Sequence, residues 1–97
     1  MTMTANGLAK LIEECGELVQ VAGKRLAYYH TDEHPDGGEP LPKRLEMEIA
    51  DVMAACKFVI ATHRLNRNSI DSRIAKKLSL FNEWHREELN NTEAVDR

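Results

Sequence analysis

Cysteine is scarce in this chain, and neither copy has a partner at metal-ligand spacing. Cys15 and Cys56 both fall inside strongly helical stretches. With no second cysteine or suitably spaced histidine beside them, they make no zinc motif. They read instead as small buried hydrophobes in a reducing compartment. Long apolar runs are missing too, and none approaches the roughly 20 residues needed to cross a bilayer. The opening residues, Met1 to Gly7, lack the basic stretch and apolar run of a signal peptide. The expectation is a cytoplasmic protein with no membrane partner. Nor is there an excess of charge of one sign. A net charge of -3 gives no general attraction to nucleic-acid polymers or anionic lipid.

Strand patterning is absent as well, since no run alternates with period two in valine, isoleucine and threonine. Repeats and low-complexity segments are lacking. Ninety-seven residues make one small domain, expected to span 1–97. So short a chain buries a modest share of its surface, which points to a homodimer or homotetramer.

What is present is helical periodicity, and the expected fold class is all-α. A first helix is expected from about Thr4 to about His30, capped by Thr4 or Asn6. Leu8, Leu11, Cys15, Leu18, Ala22 and Leu26 or Tyr29 recur at steps of three and four, as one apolar stripe. Gly7, Gly16 and Gly23 each weaken this helix by up to about 1 kcal/mol relative to alanine, which suggests close approach of another backbone. Residues 31–42 then hold all three prolines and two adjacent glycines. This is a long loop for a compact helical protein, and such loops often serve a function or face a partner. A second helix is expected from about Pro42 to about Leu65, with Leu45, Ile49, Val52, Cys56, Val59 or Ile60 and His63 inward. After the polar turn Asn66–Ser69, which supplies a cap, a third helix is expected from about Ile70 to about Leu89. Ile74, Leu78, Phe81 and Trp84 or His85 form its inward face, and a polar, frayed tail covers 90–97.

The chemistry lies in the acidic residues. Glu14 and Glu17 are three apart on the first helix, and Glu48 and Asp51 are three apart on the second. Each pair leaves its helix on one side. Two helices joined by one loop most simply form an antiparallel hairpin, in which the pairs can meet. Pressing four like charges together is unfavourable, so solvent, basic side chains or a cation must offset the repulsion. An all-carboxylate set suits hard ions such as magnesium, manganese or calcium. Di-iron bundles place a histidine at the third position of such pairs, and neither pair here has one. A metal-activated water attacking a phosphoanhydride is a reaction natural to such a site. The competing reading is an ordinary solvated acidic face.

Glu13-Glu14-x-x-Glu17 followed by Glu48-x-x-Asp51 resembles the signature of the MazG-like all-α nucleoside triphosphate pyrophosphohydrolases. The likeness extends to Leu11-Ile12, Leu18-Val19, Lys24 and Ile49-Ala50-Asp51-Val52. On the closing stretch from Lys77 to Trp84 it is nearest the short, phage-type members. It covers roughly residues 8 to 86. Two departures stand out. Thirty residues separate Glu17 from Glu48, slightly more than the usual gap, and Lys77 and Asn82 are five apart where many relatives space such a pair by four.

The resemblance implies a hairpin plus third helix, completed as a bundle by homo-oligomerisation. It implies hydrolysis of a (deoxy)nucleoside triphosphate to the monophosphate and pyrophosphate. Glu14, Glu17, Glu48 and Asp51 would hold Mg²⁺, for which Mn²⁺ could substitute. Glu13 would orient or deprotonate the attacking water, or help hold a further metal. Lys24, two turns past Glu17, and Lys77 on the last helix are candidate phosphate contacts, alongside Lys76 and Arg86. Asn82 is a further candidate substrate contact. Tyr28, Tyr29 and Trp84 could stack on a base, or serve as core or subunit contacts. The four histidines show no paired spacing for a metal. Within this reading the base is open, with a purine such as dGTP one option. A phosphoribosyl-ATP pyrophosphatase and a non-catalytic helical dimerisation module are the rivals.

Overall fold

The computed structural model describes residues 4–95 of the chain, and side-chain surroundings for 5–91. Expectations that fall on Met1–Met3, Asp96 and Arg97 lie outside the described residues. Three α-helices make up the described chain: α1 (Leu8–Ala27), α2 (Leu41–Thr62) and α3 (Arg67–Val95), with a short 3₁₀ turn over Thr4–Gly7. No described helix is long and apolar enough to cross a membrane. The backbone divides into two units, Met1–Leu65 and Asn66–Arg97.

In the first unit α1 and α2 pack as an antiparallel hairpin. Gly7 lies against Phe58 and Val59 near one end, while Glu14 and Glu17 meet Glu48 further along, so numbers rise on one helix as they fall on the other. The seam follows a three-four repeat. On α1 it takes Leu11, Glu14, Leu18, Val21 and Arg25, and on α2 Leu41, Leu45, Glu48, Val52, Ala55 or Cys56, and Val59, all buried or half-buried. Leu41 is wholly enclosed and Val59 nearly so, and they are the buried apolar side chains among the described residues.

The α1 stripe differs from the sequence expectation. Leu8, Cys15, Ala22 and Leu26 are exposed, and with Ile12 and Val19 they form a second apolar stripe turned away from α2. Cys15 is therefore open in the chain and Cys56 half-buried, not both enclosed. Ile49 is likewise exposed. Among the described residues the expected close approach at Gly16 and Gly23 does not occur, since a Cβ at either would meet nothing within 4 Å.

Gly7 is the tight position. Its φ of +91° is left-handed, and a Cβ there would come within 2.6 Å of the Phe58 ring. Gly7 also stands at the N-cap of α1, where no side chain caps the helix, so Asn6 does not serve as expected. The Asn6 carbonyl accepts a hydrogen bond from Thr62 Oγ1 at 3.1 Å, tying the start of the chain to the end of α2.

α1 ends at Ala27, a turn sooner than expected, with Lys24 and Arg25 in its last turn, where the dipole favours cations. α2 begins at Leu41 with Pro42 in its first turn, where a missing N–H costs no helical bond. It closes with a Schellman motif. The Leu65 amide donates to Ile60, the Arg64 amide to Ala61, and Arg64 takes the left-handed position that glycine usually fills. His63, expected on the inward stripe, is half-buried as the C-cap of α2, and its Nε2 is buried without a hydrogen-bond partner.

The second unit is α3. Asn66 caps it, its Oδ1 accepting from the Ser69 amide at 2.9 Å, and the helix starts three residues before the expected Ile70. It also runs on to Val95 through most of the stretch expected to be a frayed tail. Ile74, Leu78, Phe81 and Trp84, expected to face inward, are about half exposed.

Candidate functional site

Glu14 and Glu48 occupy seam positions where, Arg25 at the loop end apart, the three-four repeat places leucine, valine, alanine or cysteine. Charged groups sit inside a helical seam only at a cost, which pairing or a bound ion must offset. Glu14 is 9% exposed and Glu48 half-buried. One turn along α1, Glu17 turns to the same place. Carboxylate oxygens of Glu14, Glu17 and Glu48 all lie within 4.8 Å of one another. Two of these three residues also carry a buried oxygen that lacks any hydrogen-bond partner, Glu14 Oε2 and Glu48 Oε2. A buried acceptor left unmatched costs about 1–3 kcal/mol, and more when ionised.

Only one basic group reaches the cluster among the described ion pairs. Lys10 Nζ lies 3.4 Å from Glu14 Oε1 and equally near Glu13 Oε1, and these bonds raise the Lys10 pKa, Glu14 contributing most. Lys10 is half exposed and engages the Glu14 oxygen other than the orphaned one. The residual repulsion shows in Glu17, whose carboxyl is pushed above the usual glutamate range. The nearby Glu14 charge is the main cause, followed by partial burial and then by Glu48 and Glu13.

The donor set fits a hard divalent cation. It is all oxygen, it comes from two helices, and two of its three residues carry a desolvated acceptor with nothing to accept from. Asp51, the fourth expected ligand, is exposed and not among the three converging carboxylates. It stands one turn beyond Glu48 and lines a shallow depression of about 340 Å³ with Lys10, Glu14, Ala54, Ala55 and Phe58. Glu14 thus borders both the cluster and the depression. Glu13 is exposed on α1, held at Lys10.

The other candidate residues fall in both units. Lys24 sits at the loop end of α1, 3.0 Å from Asp36. Tyr28 follows α1 as its C-cap and meets His34 edge-on at 4.7 Å. Tyr29 lies beside His30. Lys77 borders an apolar groove on α3 with Ile70, Arg73, Ile74, Leu78 and Phe81. Trp84 stacks at a tilt on Phe81, 5.6 Å between ring centres, while Asn82, Lys76 and Arg86 are exposed on the same helix. Lys10, Asp36 and Arg44 were not singled out from sequence. For Lys10 the signal was available, because it precedes Glu13 and Glu14 by three and four residues.

Comparison with protein-family models, with curated proteins and with solved structures finds no match to this chain.

Proposed function

We propose that the chain is a metal-dependent nucleoside triphosphate pyrophosphohydrolase acting through the carboxylates of the α1–α2 seam. The observation that carries this reading is the pair of buried, unpartnered oxygens, Glu14 Oε2 and Glu48 Oε2, with Glu17 beside them. Three carboxylates crowded together, two of them at seam positions, weaken the metal-free fold, and a divalent cation resolves that conflict. Glu14, Glu17 and Glu48 would hold Mg²⁺ or Mn²⁺, with Asp51 placed at the adjoining depression to complete the set around substrate. Such a cation, when bound, neutralises phosphate charge and makes water a better nucleophile. Glu13, on the same turn as Glu14, is the candidate to orient or deprotonate water, and Lys10 limits the repulsion between Glu13 and Glu14.

The same reading expects a homo-oligomer in the cytosol. The uncovered stripe of α1 (Ile12, Val19, Leu26) and the apolar face of α3 supply surface for it, against a core of two enclosed side chains. That uncovered surface also favours the second reading, a non-catalytic helical dimerisation module.

Release of pyrophosphate from a panel of canonical and modified triphosphates, dGTP and phosphoribosyl-ATP included, separates the readings. The expected result is one preferred substrate, turnover only with Mg²⁺ or Mn²⁺, and loss of activity in Glu48→Gln. No release from any member by the metal-loaded wild-type chain leaves the dimerisation module standing and removes the enzyme.

A further inference from the structure

The loop end of the hairpin gathers a second group of charges. Lys24, in the last turn of α1, donates to Asp36 Oδ2 at 3.0 Å. Arg44, in the first turns of α2, grips the same carboxylate with two N–H bonds, Nη1 to Oδ2 at 2.9 Å and Nη2 to Oδ1 at 2.6 Å. The Gly38 amide is a third donor group, reaching Oδ1 at 3.2 Å. Arg44 is itself aimed by an Nε bond to the Glu39 carbonyl at 2.6 Å. A planar guanidinium, an ammonium and a backbone N–H converging on one anion are the donors that recognise phosphate oxygens as readily as carboxylate.

The position of this group relates it to the carboxylate site. Arg44 precedes Glu48 by one turn on α2, about 6 Å of rise, and Lys24 follows Glu17 by two turns on α1, about 10 Å. That separation is of the order of a polyphosphate chain's length, with anionic groups at one end and cationic groups at the other. Asp36 reaches the cations from the loop, not from either helix.

We infer that Lys24 and Arg44 form a binding site for the outer phosphates of a nucleoside triphosphate, and that Asp36 fills it as an internal competitor until substrate displaces it. The inference rests on the nucleotide reading for its natural ligand. Asp36 imitates a phosphate, the loop 28–40 is latched while the site is empty of substrate, and tail binding releases the latch. A competitor that fills the site in about nine-tenths of molecules weakens apparent affinity about tenfold.

The test uses inorganic tripolyphosphate with the full chain in chelator, so neither metal binding nor hydrolysis enters. Asp36→Asn is expected to bind tripolyphosphate about tenfold more tightly than wild type, and Asp36→Asn combined with Arg44→Gln to lose that gain. Equal affinity of Asp36→Asn and wild type overturns the proposal, as does a gain that survives loss of Arg44. Should Asp36→Asn fail to fold, the wild-type Gly38 amide resonance decides. A saturable shift on adding tripolyphosphate supports displacement of Asp36, and an unmoved resonance at millimolar ligand overturns it. Hydrolysis with no such competition sinks this inference alone, and competition without hydrolysis sinks the enzyme reading alone.

Discussion

The two ends of the α1–α2 contact treat charge in opposite ways. At the loop end the Asp36 carboxylate is met by Arg44, Lys24 and the Gly38 amide, which hold its pKa far below the usual carboxylate range. Along the seam Glu14, Glu17 and Glu48 crowd together with Lys10 in reach of one oxygen, and the Glu17 carboxyl is pushed upward. One cluster is closed upon itself and the other is incomplete. The difference shows why acidic spacing alone is a poor marker of a ligand site. Charge balance and desolvation decide.

Four measurements sharpen or break that contrast. The largest effect belongs to the apolar anchor of the closed end. Leu41 is fully enclosed, its amide donating to the Asp32 carbonyl, and Leu41→Ala should lower stability by about 2–5 kcal/mol in urea unfolding. A loss well under that range would mean the loop end is not a packed support. Next comes the open cluster. At about one hundred times its Kd, Mg²⁺ or Mn²⁺ should stabilise the wild-type chain by about 2.7 kcal/mol in thermal melting. In chelator Glu48→Gln should melt above wild type because it removes one of three crowded charges, and it should gain little from the cation. A wild-type melt indifferent to both ions would erase the asymmetry between the two ends.

Smaller is the effect at Gly16, beside the cluster on the open face of α1. With empty space where a Cβ would go, Gly16→Ala should add about 0.5–1 kcal/mol. Destabilisation instead would reveal a neighbour covering that face. The smallest is the acid titration of the two carboxyls, followed by carbon-13 NMR. Asp36 has a folded pKa below its unfolded value, so its contribution to stability is complete above the ordinary aspartate pKa of about 3.9 and is lost as pH falls through the depressed folded value. The stability difference between wild type and Asp36→Asn should therefore stay flat from neutral pH to about pH 5 and shrink only in stronger acid. Glu17 should titrate on the other side, above the ordinary glutamate value of about 4.3.

Much of the architecture could be read from spacing. Three helices, the Pro/Gly loop, the Asn66 turn and the meeting of Glu14 and Glu17 with Glu48 all follow from helical periodicity and a short connection. The orientation of α1 did not, because that helix carries two apolar stripes a fraction of a turn apart. Leu11 and Leu18 belong to the seam, whereas Leu8, Cys15 and Leu26 belong to the outer face. Periodicity gives both equal weight, and only the partner's position selects between them. Asp51 is less legible. Its spacing from Glu48 puts it on the same side of α2, and it lines the depression beside Glu14, outside the group of three converging carboxylates. Asp36 carried no periodic signal at all, since a loop side chain is placed by turns and by the cations it finds.

The ring of Phe58 lies so close to Gly7 that it also offers a label needing no chemistry. The α-proton that points where a Cβ would stand sits against the aromatic ring, 2.6 Å separating that Cβ position from the ring carbon. Ring currents there displace its resonance from the value of an open chain. Because Phe58 also walls the depression shared by Glu14 and Asp51, this single glycine signal can register whether the far end of the hairpin opens when something enters beside those carboxylates.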